Sequence, residues 1–183
     1  MTAEGVDLQL VAGGDVHLVP DLAAGLAAGR VPTLAGGRYF LLEPPHDICP
    51  PGVERAVEKM IALGYTPIIT HPERYRWIES KMGVMRTLRE MGCLFQVTAA
   101  SLTGRFGEHA LAWSERFLRD GLADIIASDA HHARDRRPGL SAARDVAAKW
   151  VGAALADRMV SHIPFAVLRG HAPEAILLLR TAA

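Results

Sequence analysis

Short apolar runs alternate along the chain with longer segments in which apolar residues recur every three or four positions. That alternation predicts βα units feeding a parallel sheet. Strand-like runs fall within Val6 to Leu18, where two short pieces fit, and in RYFLLE ending at Glu43. Three more follow, TPIITH ending at His71, CLFQVT ending at Thr98 and ADIIASD ending at Asp129. Between them, VERAVEKMIALG sets Val53, Val57, Met60, Ile61 and Ala62 at helical spacing and stops at Gly64, a glycine placed as a helix C-terminal cap. VMRTLREMG, closing on Gly92, and ALAWSERFLRDG, closing on Gly121, repeat the arrangement.

The polar residues at the predicted strand ends are Asp15, Glu43, His71, Thr98 and Asp129, spaced by 28, 28, 27 and 31 residues. Each interval is one βα unit. In a parallel βα fold every strand delivers its C-terminal end to the same face, so these side chains are expected to converge although they lie far apart in sequence. A closed eight-unit barrel takes ~250 residues. With about five units here, the sheet is either open or a barrel without its beginning.

Length adds that the 183 residues suit one domain, 1–183, with a sizeable core. The formal net charge of zero leaves no broad basic field for a phosphate backbone, so nucleic acid is not an expected partner. No apolar run approaches the roughly 18 residues of a membrane span, and MTAEGVDLQL lacks the segments of a signal peptide. Cys49 and Cys93 stand far apart, in no metal or redox spacing, and are expected to be reduced. A cytoplasmic protein is the simplest expectation.

Candidate chemistry concentrates at the strand ends. In SDAHH, Asp129 and His131 stand two apart where the chain leaves ADIIA, so both side chains reach one cavity if the backbone bends. Carboxylate and imidazole together suit Mn, Fe or Zn better than Ca or Mg. Asp129 could equally cap the next helix, with His131 on the surface. In HPER, His71 follows a buried-looking strand, Pro72 ends it, and Arg74 sits one short turn on, where a guanidinium could grip an anion bidentately. Glu43 closes YFLLEPP. A carboxylate at the end of a buried strand needs a metal or a basic partner, and a salt bridge to arginine is the alternative. His17, His109, His162 and His171 have no partner at ligand spacing, and His46 sits near Glu43 where it could line a rim; all read as structural or surface residues. No G-x-S-x-G elbow occurs and neither cysteine adjoins a general base, so a covalent nucleophile has no candidate.

Taken in order, LLEPPHD, PIITHPERYR, QVTAASLTGRFG and IIASDAHHARDRRP resemble the bacterial protein tyrosine phosphatases of the PHP (polymerase and histidinol phosphatase) superfamily. These are manganese-dependent enzymes of capsule and exopolysaccharide gene clusters. The resemblance runs from about Gly13 to the C-terminus. It implies a distorted PHP-type βα barrel with two to three metal ions, Mn2+ or another divalent metal such as Fe or Zn, at the strand ends. It further implies hydrolysis, by metal-activated water and without a phosphoenzyme, of phosphotyrosine on a cognate autophosphorylating tyrosine kinase. Glu43, His71, Asp129 and His131 match metal ligands by motif, and Arg74 and Arg136 match the arginines that hold the phosphoryl group. Where the family has a G-x-E ligand, this chain has GGD, which offers Asp15 on a shorter stem.

The family's opening D-x-H-x-H motif, with the aspartate and histidine that follow it, is not found. Together with the five units, this leads to the expectation of an N-terminally truncated barrel, the C-terminal part of the full domain. A barrel cut in this way exposes a sheet edge and apolar surface that favour a homo-oligomer. Another PHP phosphoesterase, such as a histidinol phosphatase, and an inactive remnant that only binds are the alternatives.

Overall fold

The computed structural model describes residues 9–132 and 134–181. The part of the first predicted strand at residues 6–8 lies outside them. Five parallel strands, β1 (Asp15–His17), β2 (Tyr39–Glu43), β3 (Thr66–Thr70), β4 (Leu94–Thr98) and β5 (Ile125–Ala127), form one sheet in the order β1-β2-β3-β4-β5. Chain order and spatial order coincide, as they do around a βα barrel. Among the described residues no pairing joins β5 to β1, so these strands make an open arc with two edges.

The helices are α1 (Leu22–Ala27), α2 (Val53–Ala62), α3 (Met82–Glu90), α4 (Ala99–Leu102), α5 (Gly107–Arg119), α6 (Ser141–Val151), α7 (Ala153–Val160), α8 (His162–Leu168) and α9 (Pro173–Thr181). Every residue of β3 and β4 is buried, as expected of parallel strands covered on both faces. The helical spacing read from the sequence supplies the cover. Val53, Val57 and Met60 are the buried positions of α2, Met82, Met85 and Leu88 those of α3, and Trp113, Phe117 and Leu118 belong to the buried side of α5. Gly64, Gly92 and Gly121 end these three helices at positive φ, where the sequence places them.

At the end of the sheet away from the strand termini, Asp124 is fully buried just before β5. It accepts hydrogen bonds from Arg89 Nη2 of α3 at 3.0 Å, from Arg180 of α9 at 3.1 Å and from the Phe95 amide of β4 at 2.8 Å, and forms a further 2.9 Å ion pair with Arg89 Nη1. One carboxylate therefore ties two helices to two adjacent strands, with its charge balanced by two guanidiniums.

Three of the differences from the sequence reading bear on the site. β3 stops at Thr70, because Pro72 has no N–H to extend the ladder, and His71 turns out of the strand at φ 33°, ψ 51° into the short 3-10 turn Pro72–Arg74. β5 stops at Ala127, two residues before Asp129, which also takes a positive φ of 49°. Asp15 opens β1 rather than closing it; His17 is the residue in register with Glu43. Left-handed backbone at non-glycine residues costs ~1–3 kcal/mol and clusters at functional sites. Here it falls on Ala35 and on two of the candidate ligands, His71 and Asp129.

Candidate metal and anion site

β2 ends with Glu43 at the open rim of the sheet, and three imidazoles surround its carboxylate. His17 Nδ1 lies 3.2 Å from Oε2, while His46 Nε2 and His71 Nε2 lie 3.1 and 3.4 Å from Oε1. His71 Nε2 is also 3.5 Å from Asp15 Oδ2, and the other oxygen of Asp15 accepts a 3.2 Å hydrogen bond from Thr70 Oγ1. The register explains this grouping. His17 and Glu43 are paired neighbours, Thr70 lies one strand further across, and His71 turns back over the row. Asp15, Glu43 and His71, expected together, are together. His17 and His46, set aside as structural or surface residues, belong to the same group.

Glu43, His46 and His71 each present one ligand atom within 4.8 Å of the others. Ligands held ~2.0–2.2 Å from one ion stand up to ~4 Å apart, so a small contraction suffices. The His71 ring is buried and its Nδ1 has no hydrogen-bond partner, while Nε2 faces both carboxylates and is the nitrogen placed to meet a cation. Burial pushes His46 below the ordinary imidazole range, with His71 and Arg74 acting in the same direction against its hydrogen bond to Glu43. A neutral imidazole is the form a metal binds. The mixed imidazole and carboxylate donors fit Mn, Fe or Zn.

The second group forms around Asp129. Its Oδ2 accepts from Arg136, and from Arg74 Nη1 at 3.5 Å. Its Oδ1 lies 3.5 Å from His131 Nδ1, which is also 2.9 Å from the Asp129 carbonyl oxygen. Asp129 and His131 thus adjoin each other and the two candidate phosphate-binding arginines. Asp129 contacts arginine rather than the Glu43 cluster. Arg74 connects the groups, since it shares with His46, Arg76, Phe106 and His109 the lining of a cleft of about 310 Å³. A larger apolar groove of about 590 Å³, with Phe165 and Leu179 in its walls, holds none of the candidate residues.

Glu73 was not singled out by its sequence position, yet it fixes the turn that carries His71 and Arg74. It is fully buried, and Oε1 accepts from the Thr98 amide at 3.0 Å and from Ser101 Oγ at 2.6 Å. Burial pushes its carboxyl above the usual range, against those two hydrogen bonds. Tyr75 completes the floor, donating to the Thr70 carbonyl at 2.7 Å and stacking on Trp77 at 4.8 Å. The signal for His46 was present in E-P-P-H, where two prolines hold a histidine three residues beyond a candidate ligand. For Glu73 there was none, because its partners come from β4 and α4.

A family model described as "Capsular polysaccharide synthesis, CpsB/CapC" matches residues 1–169. The tyrosine-protein phosphatase YwqE of Bacillus subtilis is 32% identical over 133 residues, covering 73% of this chain and 52% of the relative. The tyrosine-protein phosphatase CpsB of Streptococcus pneumoniae is 31% identical over 158 residues, covering 84% of this chain and 65% of the relative. A solved structure, from work describing B. subtilis YwqE and S. pneumoniae CpsB as unique metal-dependent tyrosine phosphatases, superposes with a TM-score of 0.82 at 30% identity. It covers 87% of this chain and 64% of its own. The chain spans about half the length of the Bacillus relative and less than two thirds of the Streptococcus one.

Proposed function

The chain belongs to the capsular polysaccharide synthesis CpsB/CapC family, and from that premise we propose that its strand-end cluster is the centre of a metal-dependent protein tyrosine phosphatase. Its substrate in this reading is phosphotyrosine on a cognate autophosphorylating tyrosine kinase, in the control of capsule or exopolysaccharide synthesis. The observation that carries the reading is the meeting of Glu43, His46 and His71, three ligand atoms within 4.8 Å, beside a cleft whose Arg74 shares an acceptor with Arg136.

Asp15, Glu43, His46 and His71 would hold one divalent ion, and Asp129 with His131 would contribute to a further one, in a set of two to three with Mn2+ the favoured metal. Bound metal supplies an acidified water and positive charge for the phosphoryl oxygens. Arg74 and Arg136 bind those oxygens, and planar guanidiniums fix their orientation through paired N–H donors. Asp129 Oδ2 marks the point where both guanidiniums already meet an anionic oxygen. Attack by water rather than by a side chain is supported by both thiols. Burial pushes Cys93 up to about 12 and raises Cys49 as well. A cytoplasmic location is part of the reading, supported by two free cysteines and by the lack, among the described residues, of any helix long and apolar enough to cross a membrane. Self-association into a homo-oligomer is part of it too, supported by the two open sheet edges.

The test is turnover of a phosphotyrosyl peptide against histidinol phosphate by the purified chain with manganese. The expected result is preference for the peptide, abolished by His71→Ala. Preference for histidinol phosphate would assign the chain to another phosphoesterase, and no turnover of either would leave it a binding protein.

A further inference from the structure

The TGRFG stretch between α4 and α5, residues 103–107, takes no part in the roles assigned so far. Gly104 and Gly107 stand at φ +76° and +89°, conformations that favour glycine, so the chain turns sharply on both sides of Arg105 and Phe106. Arg105 donates through Nη2 to the main-chain oxygen of Asp135, the residue before Arg136. The Phe106 ring lies against both candidate phosphate-binding arginines, with Arg74 Cζ 4.8 Å and Arg136 Cζ 5.6 Å from its centroid. Among the described residues it is the one ring against either of them. It borders the cleft that holds His46 and Arg74, and also a cavity of about 350 Å³ that holds Arg136.

Two guanidiniums that converge on one acceptor repel each other, and Arg136 is carried by a loop rather than by a helix or strand. An aromatic face attracts both charges and restricts the rotamers of both side chains. We propose that Phe106 is a positioning residue for the anion site. Its ring holds Arg74 and Arg136 aimed at one point, so that both guanidiniums meet a phosphate monoester together, while Arg105 ties down the loop beneath Arg136. This rests on the reading of Arg74 and Arg136 as the phosphoryl-binding pair.

The probe is inorganic phosphate, titrated calorimetrically into the manganese-loaded chain. Phe106→Leu keeps the apolar bulk and removes the π face; Phe106→Tyr keeps the face. Leucine is expected to weaken phosphate binding about tenfold, the loss of two cation–π contacts, with the melting temperature unchanged, and tyrosine is expected to restore it. Undiminished affinity in the leucine variant overturns the proposal, and so does a loss that tyrosine fails to rescue or a wild type that does not bind phosphate. If the leucine variant does not fold, Phe106→Met, unbranched and similar in volume, replaces it with the same expected outcomes. Phe106-dependent phosphate binding without phosphotyrosine turnover would remove the enzymatic reading and keep the positioning role. Turnover with phosphate affinity independent of Phe106 would do the reverse.

Discussion

Tyr39 of β2 is fully buried and donates a 2.6 Å hydrogen bond to the carbonyl of His171, in the link between α8 and α9. Burial pushes its hydroxyl from 10.0 up to about 12, against the pull of Arg38. A folded-state pKa raised in this way makes the contribution full below pH 10 and lost as pH rises from 10 towards 12. Wild-type melting temperature is therefore expected to fall across that interval, and Tyr39→Phe is expected to melt lower at neutral pH with a shallower alkaline decline. Equal slopes for the two proteins would assign the decline to other groups. Tyr39 was legible as part of a strand, whereas its bond to a residue 132 positions away was not. The same divide runs through the site. Glu43, His71 and Arg74 could be read because apolar runs ending in ionisable groups are rare combinations. Glu73 lies in the same HPER motif, and its task depends on Thr98 and Ser101, which no local pattern connects to it.

The strands, the helices and their glycine stops were legible because apolar spacing dictates them directly. Their ends were less so. β3 and β5 each stop short of the predicted residue, where His71 and Asp129 adopt left-handed backbone that propensity assigns to glycine. The attachment of α9 was not legible at all, since Arg180 reaches Asp124 across 56 residues. That carboxylate is fully buried between Arg180 and Arg89. Asp124→Ala leaves two guanidiniums and the Phe95 amide without their acceptor, and it is expected to destabilise the chain by about 3–5 kcal/mol. Urea denaturation followed by circular dichroism measures this. A loss under about 1 kcal/mol would reduce the network to surface ion pairing.

At the scale of the whole molecule, the 28-residue rhythm of polar strand ends described the architecture better than any single motif. A parallel sheet in chain order brings the ends of β1, β2 and β3 to one rim, where His17, Glu43 and His71 meet, and Asp15 reaches His71 from the start of the three-residue β1. Asp129 reaches the same face but its carboxylate meets Arg74 and Arg136 instead, with His131 beside it. One repeat therefore gathers two chemically distinct groups, imidazoles and carboxylates around Glu43 and a guanidinium pair around Asp129, with Arg74 and His46 sharing the cleft between them. On the reading proposed above, the Glu43 cluster is a metal centre. Calorimetric titration of manganese into the metal-stripped chain, comparing wild type with His46→Ala and His71→Ala, measures this. Saturable binding that falls at least ~10-fold in affinity in each variant is the expected result. Equal manganese affinity in all three proteins would contradict it.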